Sequence, residues 1–218
     1  MSRDFRHFIN SFLDLSCCAI GCTTIDSLEE REIKYFESFM PTTRVVIALG
    51  HHITKKSEWK WYAINDGHER CDADDHVREV CYQIKEKIYS QGFLTKIVPY
   101  PEVSGLQFRF VAQSAGLGNI GKNAFLLHPE WGPWIHLRVI ASEASFESTP
   151  HSVDSICTEC LKCIEVCPAK AITDITFDGL TYRSYRKSKG EYKPCGPKGE
   201  LKYCEICAQI CPIGDKPQ

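Results

Sequence analysis

No stretch of the 218-residue chain is apolar for long enough to span a bilayer. The opening residues, Met1-Ser-Arg-Asp-Phe-Arg-His7, lack the uninterrupted apolar core of a secretory signal, and no twin-arginine pair occurs. A cytoplasmic protein with no membrane role is therefore expected. A strong charge imbalance is also missing: the net charge of −2 gives no global case for nucleic-acid binding. Low-complexity tracts are absent, and nothing repeats apart from two related cysteine runs near the end. At 43% hydrophobic and 25% charged residues, the composition is that of an ordinary globular protein. The length suffices for one sizeable domain plus a small one.

Cysteine is what the chain has in excess, with thirteen. Without an export signal these are expected to be reduced thiols that can hold oxygen-sensitive clusters, not disulfides. Cys157, Cys160 and Cys163 follow C-x2-C-x2-C spacing, and Cys167 comes after a gap of three with Pro168 behind it. That spacing wraps a loop around three corners of an iron–sulfur cube, and in two-cluster ferredoxins the trailing thiolate ligates the other cluster. A second run, Cys204-x2-Cys207-x3-Cys211-Pro212, is one ligand short, and Cys195 is the candidate to complete it. The pattern predicts one [4Fe–4S] cluster on Cys157, Cys160, Cys163 and Cys211, and another on Cys167, Cys195, Cys204 and Cys207. Two structural zinc sites are the alternative, but zinc ribbons favour paired knuckles over three ligands in one tight run. Cys17, Cys18 and Cys22, together with Cys71 and Cys81, are read as lying outside the clusters, because free cysteine packs as a small hydrophobe.

Earlier in the chain, Phe5, Phe8, Ile9, Phe12 and Leu13 recur at helical spacing. Ser27-Leu-Glu-Glu30 is a capping-box pattern for a helix that Pro41 stops. Arg44 to Gly50 reads as a buried strand. His51 to Asp75 is polar and aromatic and reads as a long loop. A helix led by Asp74-Asp75-His76 carries Val77, Val80, Cys81, Ile84 and Ile88 on one face and ends at Gly92. Phe93 to Val98 is an expected strand, followed by a helix with Leu106, Phe110 and Val111, and Ile135 to Ile140 is another strand. Gly116-Leu-Gly-Asn-Ile-Gly121 formally matches a dinucleotide fingerprint. That motif needs a strand before it and a helix after it, and here the expected order is the reverse. The glycines instead suit a tight turn or close approach to a bulky ligand. Between Cys167 and Cys195, Ala171 to Asp174 reads as a short strand. The chain then turns basic and aromatic from Tyr182 to Lys193, either as a solvated face or as a surface for phosphates and bases.

Ala115-Gly-Leu-Gly-Asn-Ile-Gly-Lys-Asn123, followed by Leu126-Leu-His-Pro129 and Gly132-Pro-Trp134, resembles the epoxyqueuosine reductases, which are related to the reductive dehalogenases. The strand ending at Gly50, the Asp75-His76 helix start and the last cysteine run resemble the same superfamily. The resemblance implies an α/β (α+β) fold: a nitroreductase-like, cobalamin-binding domain over residues 1–150, then a small two-cluster ferredoxin-like domain over 151–218. It implies cobalamin alongside two [4Fe–4S] clusters, with Gly116, Gly118, Asn119, Gly121, Lys122 and His76 as cofactor-binding candidates. A flavin is the alternative cofactor, since nitroreductase-like folds commonly hold one. The family usually has tryptophan where Asn119 stands. Epoxyqueuosine reductases place an aspartate shortly before the glycine loop as proton donor, whereas dehalogenases use a tyrosine. Glu102 and Tyr100 are the corresponding candidates here. The tRNA-contacting helical repeats of some relatives do not follow the last cysteine run, so tRNA is not the expected substrate.

The function these readings imply is an iron–sulfur reductase fed by a low-potential donor of ferredoxin or flavodoxin type, acting through cobalamin on a small or nucleoside-type substrate. The alternative is an electron-transfer activator of a partner such as a corrinoid protein, with no substrate of its own.

Overall fold

The computed structural model describes residues 4–13, 16, 18–63, 69–150, 154–174, 176–191, 193 and 199–218. In chain order the elements begin with helix α1 (Phe5–Asn10), strand β1 (Cys18–Thr24), helix α2 (Glu30–Phe39) and strand β2 (Val45–His52). Strands β3 (Trp61–Ala63) and β4 (Glu69–Cys71) precede helix α3 (Asp72–Tyr89), strand β5 (Thr95–Ile97) and helices α4 (Pro101–Ser104) and α5 (Phe108–Ser114). Strands β6 (Asn119–Ile120), β7 (Leu126–Leu127) and β8 (Ile135–Ser142) come next. Helices α6 (Lys162–Val166) and α7 (Gly179–Ser188), strand β9 (Glu200–Leu201) and helix α8 (Ile206–Gln209) complete the order. The fold is mixed α/β, with two compact units that interleave along the chain. One comprises Met1–His52, Asp75–Gly118 and His136–Val153; the other comprises Ile53–Asp74, Asn119–Ile135 and Asp154–Gln218. Two segments earlier in the chain, Ile53–Asp74 and Asn119–Ile135, thus belong to the unit that carries the cysteine runs.

The first unit is built on a sheet in the order β1-β2-β8-β5. β1 and β2 pair antiparallel from Cys18↔His51 to Thr24↔Val45, and β5 pairs antiparallel with β8. Val45 to Leu49 are all buried, as an unbroken apolar run requires when both sheet faces are covered. α3 turns Val77, Cys81, Ile84 and Ile88 into the same core as Ile47, Leu49 and Ile140. Each such aliphatic side chain stabilises the fold by about 1.5–3 kcal/mol through burial. Phe5, Phe8 and Ile9 of α1 close that core, with Phe5 edge-on to Phe146 at 5.3 Å.

Two local expectations change in this unit. Ser27 does not cap a helix. Ile25–Ser27 forms a 3-10 turn, the Ser27 hydroxyl pairs with that of Thr24 at 3.0 Å, and α2 starts only at Glu30. Phe110 does not face the core: α5 begins at Phe108, so Phe108, Val111 and Ala112 take the buried face. Cys22 is buried as expected, and Cys18 is half-buried on β1; Cys17 lies outside the described residues.

The second unit corrects the long loop expected from His51 to Asp75. Trp61–Ala63 forms the centre of a three-stranded sheet, with β4 on one side and β9 on the other. Trp61 sits opposite Cys71 and Leu201. A three-residue strand has little signal of its own, and one partner here lies far along the chain. Ile53, Cys71, Ala73, Trp134 and Ala208 form the core beneath, with Trp59 and Trp61 against it. β6 and β7 form a short antiparallel hairpin. Ala171 to Asp174 is not a strand, since only an isolated bridge joins Ile172 to Phe177.

Candidate metal centre

Two very short helices carry the cysteines, and neither is long enough to stand alone in water. α6 holds Cys163 and ends at Cys167, whose backbone is extended (φ −62°, ψ 110°). The cause is local, because Pro168 disfavours the helical conformation at the residue before it. α8 holds Cys207 and is followed by Cys211 and Pro212. The two helices pack against each other. A cavity of about 90 Å³ opens among Cys157, Cys160, Cys163 and Cys211, with Asn123, Leu127 and Ile156 in its wall. Four thiols from two runs, one of them some fifty residues downstream, thus share one space.

Burial and neighbouring thiols raise the pKa of several of these cysteines. Burial raises the Cys163 pKa, and Cys157, Cys160 and Cys211 add to the rise. Cys211 is raised by burial and then by Cys157 and Cys160. Cys207 is pushed up to about 12, chiefly by burial and then by Cys204, Cys163 and Cys167. Cys204 is raised by burial first, with Glu191 and Cys167 contributing. Buried thiols kept neutral in this way ionise when a cation arrives, so metal binding would expel their protons. Cys195 lies outside the described residues. Among the described residues, no three Cys, His, Asp or Glu side chains meet at a point that would hold a single ion.

Around this centre the backbone is tightly constrained. The Lys122 N–H donates to the Cys157 Sγ at 3.5 Å. The Lys122 ammonium donates to the Thr158 carbonyl and pairs with Asp174 at 3.2 Å. Lys122 is among the cofactor-binding candidates of the sequence, and its ammonium lies against the cysteine loop. Gly121 turns tightly: its N–H donates to the Phe125 carbonyl at 2.9 Å, and its own carbonyl accepts from Ala124. Asn123 is buried in the cavity wall, and its Oδ1 accepts the Phe125 N–H. Asn119 opens β6, so a strand follows the glycines. Gly116, at φ +83°, terminates α5, and Gly118 follows two residues on. Gly132 and Gly214 touch backbone to backbone: a Cβ on Gly132 would collide with the Ile213 carbonyl, and one on Gly214 with Trp131. That contact holds down the loop leaving Cys211.

In the first unit, Tyr100 lies parallel to His136 with ring centroids 5.7 Å apart, and the Arg138 guanidinium sits 4.9 Å from the Tyr100 ring centre. Phe108 meets the same ring edge-on at 5.9 Å. His136 and Arg138 are both buried and come from β8. Sequence reasoning missed them, although residues two apart on a strand share a face. Glu102 falls within α4, and its side chain lies outside the described residues. His76 is one turn inside α3, not at its start, and stacks on the buried His51 at 5.2 Å.

No family model matches the chain. An epoxyqueuosine reductase of Atelocyanobacterium thalassa is 30% identical over 127 residues, covering 54% of this chain and 40% of that protein. One from Staphylococcus aureus is 30% identical over 136 residues, covering 56% of this chain and 34% of that protein. Over about half of its length the chain is similar in sequence to epoxyqueuosine reductases. It spans less than half the length of the curated relatives it matches. In fold it is similar to an epoxyqueuosine reductase solved with a tRNA-Tyr stem loop, at a TM-score of 0.69 and 18% identity, over 95% of this chain and 64% of that one. A catabolic reductive dehalogenase solved with 3-bromo-4-hydroxybenzoic acid is similar at a TM-score of 0.60 and 15% identity, over 91% of this chain and 30% of that one. Among the described residues, no helix is long and apolar enough to cross a membrane.

Proposed function

We propose that the chain is an iron–sulfur reductase that takes electrons from an external low-potential donor, carries them through two [4Fe–4S] clusters and delivers them to a cobalamin. The observation that carries this reading is the convergence of Cys157, Cys160, Cys163 and Cys211 on one cavity. The donor set fits a cluster: four thiols, two buried and two half-buried, with a backbone N–H aimed at one of them. Cys167, Cys204 and Cys207 form the second group, and Cys195 is assigned as its fourth ligand. The nitroreductase-like role falls to the first unit, and the cytoplasm is the assigned compartment.

Cobalamin, when bound, supplies a strong nucleophile or one-electron reductant. The protein's part is to bind, orient and protonate. Tyr100 is assigned as the proton donor, with Glu102 as the competing candidate. Arg138 and His136 hold the Tyr100 ring in one orientation, which a positioned acid requires. Gly116, Gly118, Asn119, Gly121 and His76 remain the assigned cofactor contacts. Lys122 acts toward the cysteine loop. The substrate is assigned as a small or nucleoside-type molecule. Because one structurally similar reductase was solved with a modified tRNA stem loop, an epoxyqueuosine-bearing stem loop is the first substrate to try. The relatives found in sequence are reductases, which lends no support to the activator reading.

Anaerobic reconstitution with iron, sulfide and hydroxocobalamin tests the proposal. Two clusters' worth of iron and a retained corrinoid with a base-off spectrum are expected. Retention of flavin with no corrinoid would overturn the cobalamin assignment, and stoichiometric zinc in place of iron would overturn the clusters.

A further inference from the structure

The insertion between the two cysteine runs contains a segment that the reading above does not use. From Gly179 to Lys193 it holds five cations and one carboxylate, a local charge of +4 in a chain of net −2. α7 divides these residues between two faces. Tyr182 packs with Phe177 against the core of Cys163, Cys167, Ala171 and Ile172, and its hydroxyl donates to the Cys204 carbonyl at 3.2 Å. Arg186 is buried, pairs with Glu191 at 3.0 Å and lies 3.9 Å from the centre of the Tyr203 ring. Glu191 in turn accepts the Cys204 N–H. On the outward face, Arg183, Lys187, Lys189 and Lys193 are all exposed.

We infer that α7, with Lys189 and Lys193 beyond it, forms the docking platform for an acidic one-electron donor, placed where electrons enter the second cluster. The inference rests on the reading of Cys167, Cys195, Cys204 and Cys207 as cluster ligands. Two observations favour an acidic redox protein over a nucleic acid. Tyr182 and Tyr203 are spent inward on Arg186 and the Cys204 loop, while Tyr185 carries the Lys189 ammonium over its ring, so among the described residues the cations are not interleaved with open stacking platforms. The platform is also hydrogen-bonded at two points to Cys204 itself, which puts any protein docked there beside a cluster ligand. A ring of exposed cations steers an acidic partner and raises its association rate in a salt-dependent way. The step is a single electron transfer: a reduced flavodoxin-type donor loses one electron, the oxidised cluster gains it, and no bond is made or broken.

The test follows bleaching of the cluster absorbance in the anaerobically reconstituted full chain, mixed with a photoreduced acidic flavodoxin. The wild-type rate should fall at least about tenfold when salt rises from low to near-molar, as screening shortens the field's reach. Arg183→Glu/Lys187→Glu/Lys193→Glu should reduce the low-salt rate by a similar factor with iron content unchanged. Dithionite, which needs no docking surface, should reduce wild type and variant alike. If the variant fails to hold iron, Lys187→Gln/Lys189→Gln is measured in its place, with a severalfold loss expected. Equal rates in wild type and the iron-replete variant, or a salt-independent rate, would overturn the platform. So would an unchanged donor rate accompanied by lost binding of a tRNA stem loop, which would assign the face to nucleic acid. Absence of bleaching with dithionite in the wild type would instead sink the cluster reading itself.

Discussion

The carboxylate of Glu191 accepts the backbone N–H of Cys204 at 3.1 Å, and the same Oε2 accepts from Arg186 Nε at 3.0 Å. One buried ion pair therefore connects the insertion helix to a candidate cluster ligand. Removing one member of a buried pair leaves the other charge uncompensated, which costs roughly 3–5 kcal/mol.

Arg186→Met should accordingly lower the denaturation midpoint of the reconstituted protein by an amount equivalent to about 3 kcal/mol. Glu191→Gln should cost less, because an amide oxygen can still accept from Cys204. Electron paramagnetic resonance of the reduced variants should show a changed signal from the second cluster and an unchanged one from the first. Equal stability of Arg186→Met and wild type would count against a structural pair.

Cysteine substitutions separate the two groups. Cys160→Ser should lose the iron of the first cluster, and Cys195→Ser that of the second, each leaving about half of the total as the two-cube arrangement requires. Cys71→Ser and Cys81→Ser should keep full iron, because both thiols are buried in apolar cores. Iron analysis decides, and full iron in Cys195→Ser would move the fourth ligand elsewhere.

The Gly132–Gly214 contact allows a sharper mutational test. Gly132 has φ +58°, and the Ile213 carbonyl occupies the space a side chain would need. Gly132→Ala should destabilise by at least about 2 kcal/mol through backbone strain and collision together. Its iron loss should fall on the cluster that uses Cys211. Gly92→Ala meets no neighbour and carries only the positive-φ strain, so its cost should be smaller and its iron complete.

Cys22 supplies a pH prediction. Burial pushes its thiol up to about 11 from an ordinary 9.0, although hydrogen bonds with Thr149 pull the other way. A thiol whose folded pKa lies above its unfolded one contributes stability that is complete below pH 9 and is lost as the pH climbs toward 11. The full effect is on the order of 2 kcal/mol. Chemical denaturation across that window should show the decline in wild type, and Cys22→Ala should flatten it. An identical slope in both proteins would show that another group is responsible.

How much of this was legible in the residues varied with the range of the interaction. The face of α3 carrying Val77, Cys81, Ile84 and Ile88 could be read directly, since helical periodicity is a property of neighbours in sequence. The buried run from Val45 was equally plain. Ser27 misled because a local 3-10 turn competed for its hydroxyl. Trp61–Ala63 was hidden because its pairing with Glu200–Leu201 is remote and only two residues deep.

The cysteine spacing by itself determined the type of centre to look for and the proline-terminated turns that carry it, because loop wrapping and pre-proline backbone are local effects. The spacing also grouped Cys211 with Cys157, Cys160 and Cys163, but the contact itself is made by tertiary structure, through the packing of α6 on α8. The same holds for Lys122 and Arg186. As letters in a sequence both are ordinary surface cations. Only the folded chain brings Asp174 to one and Glu191 with Tyr203 to the other, because a buried or paired charge is defined by what surrounds it and not by its own chemistry.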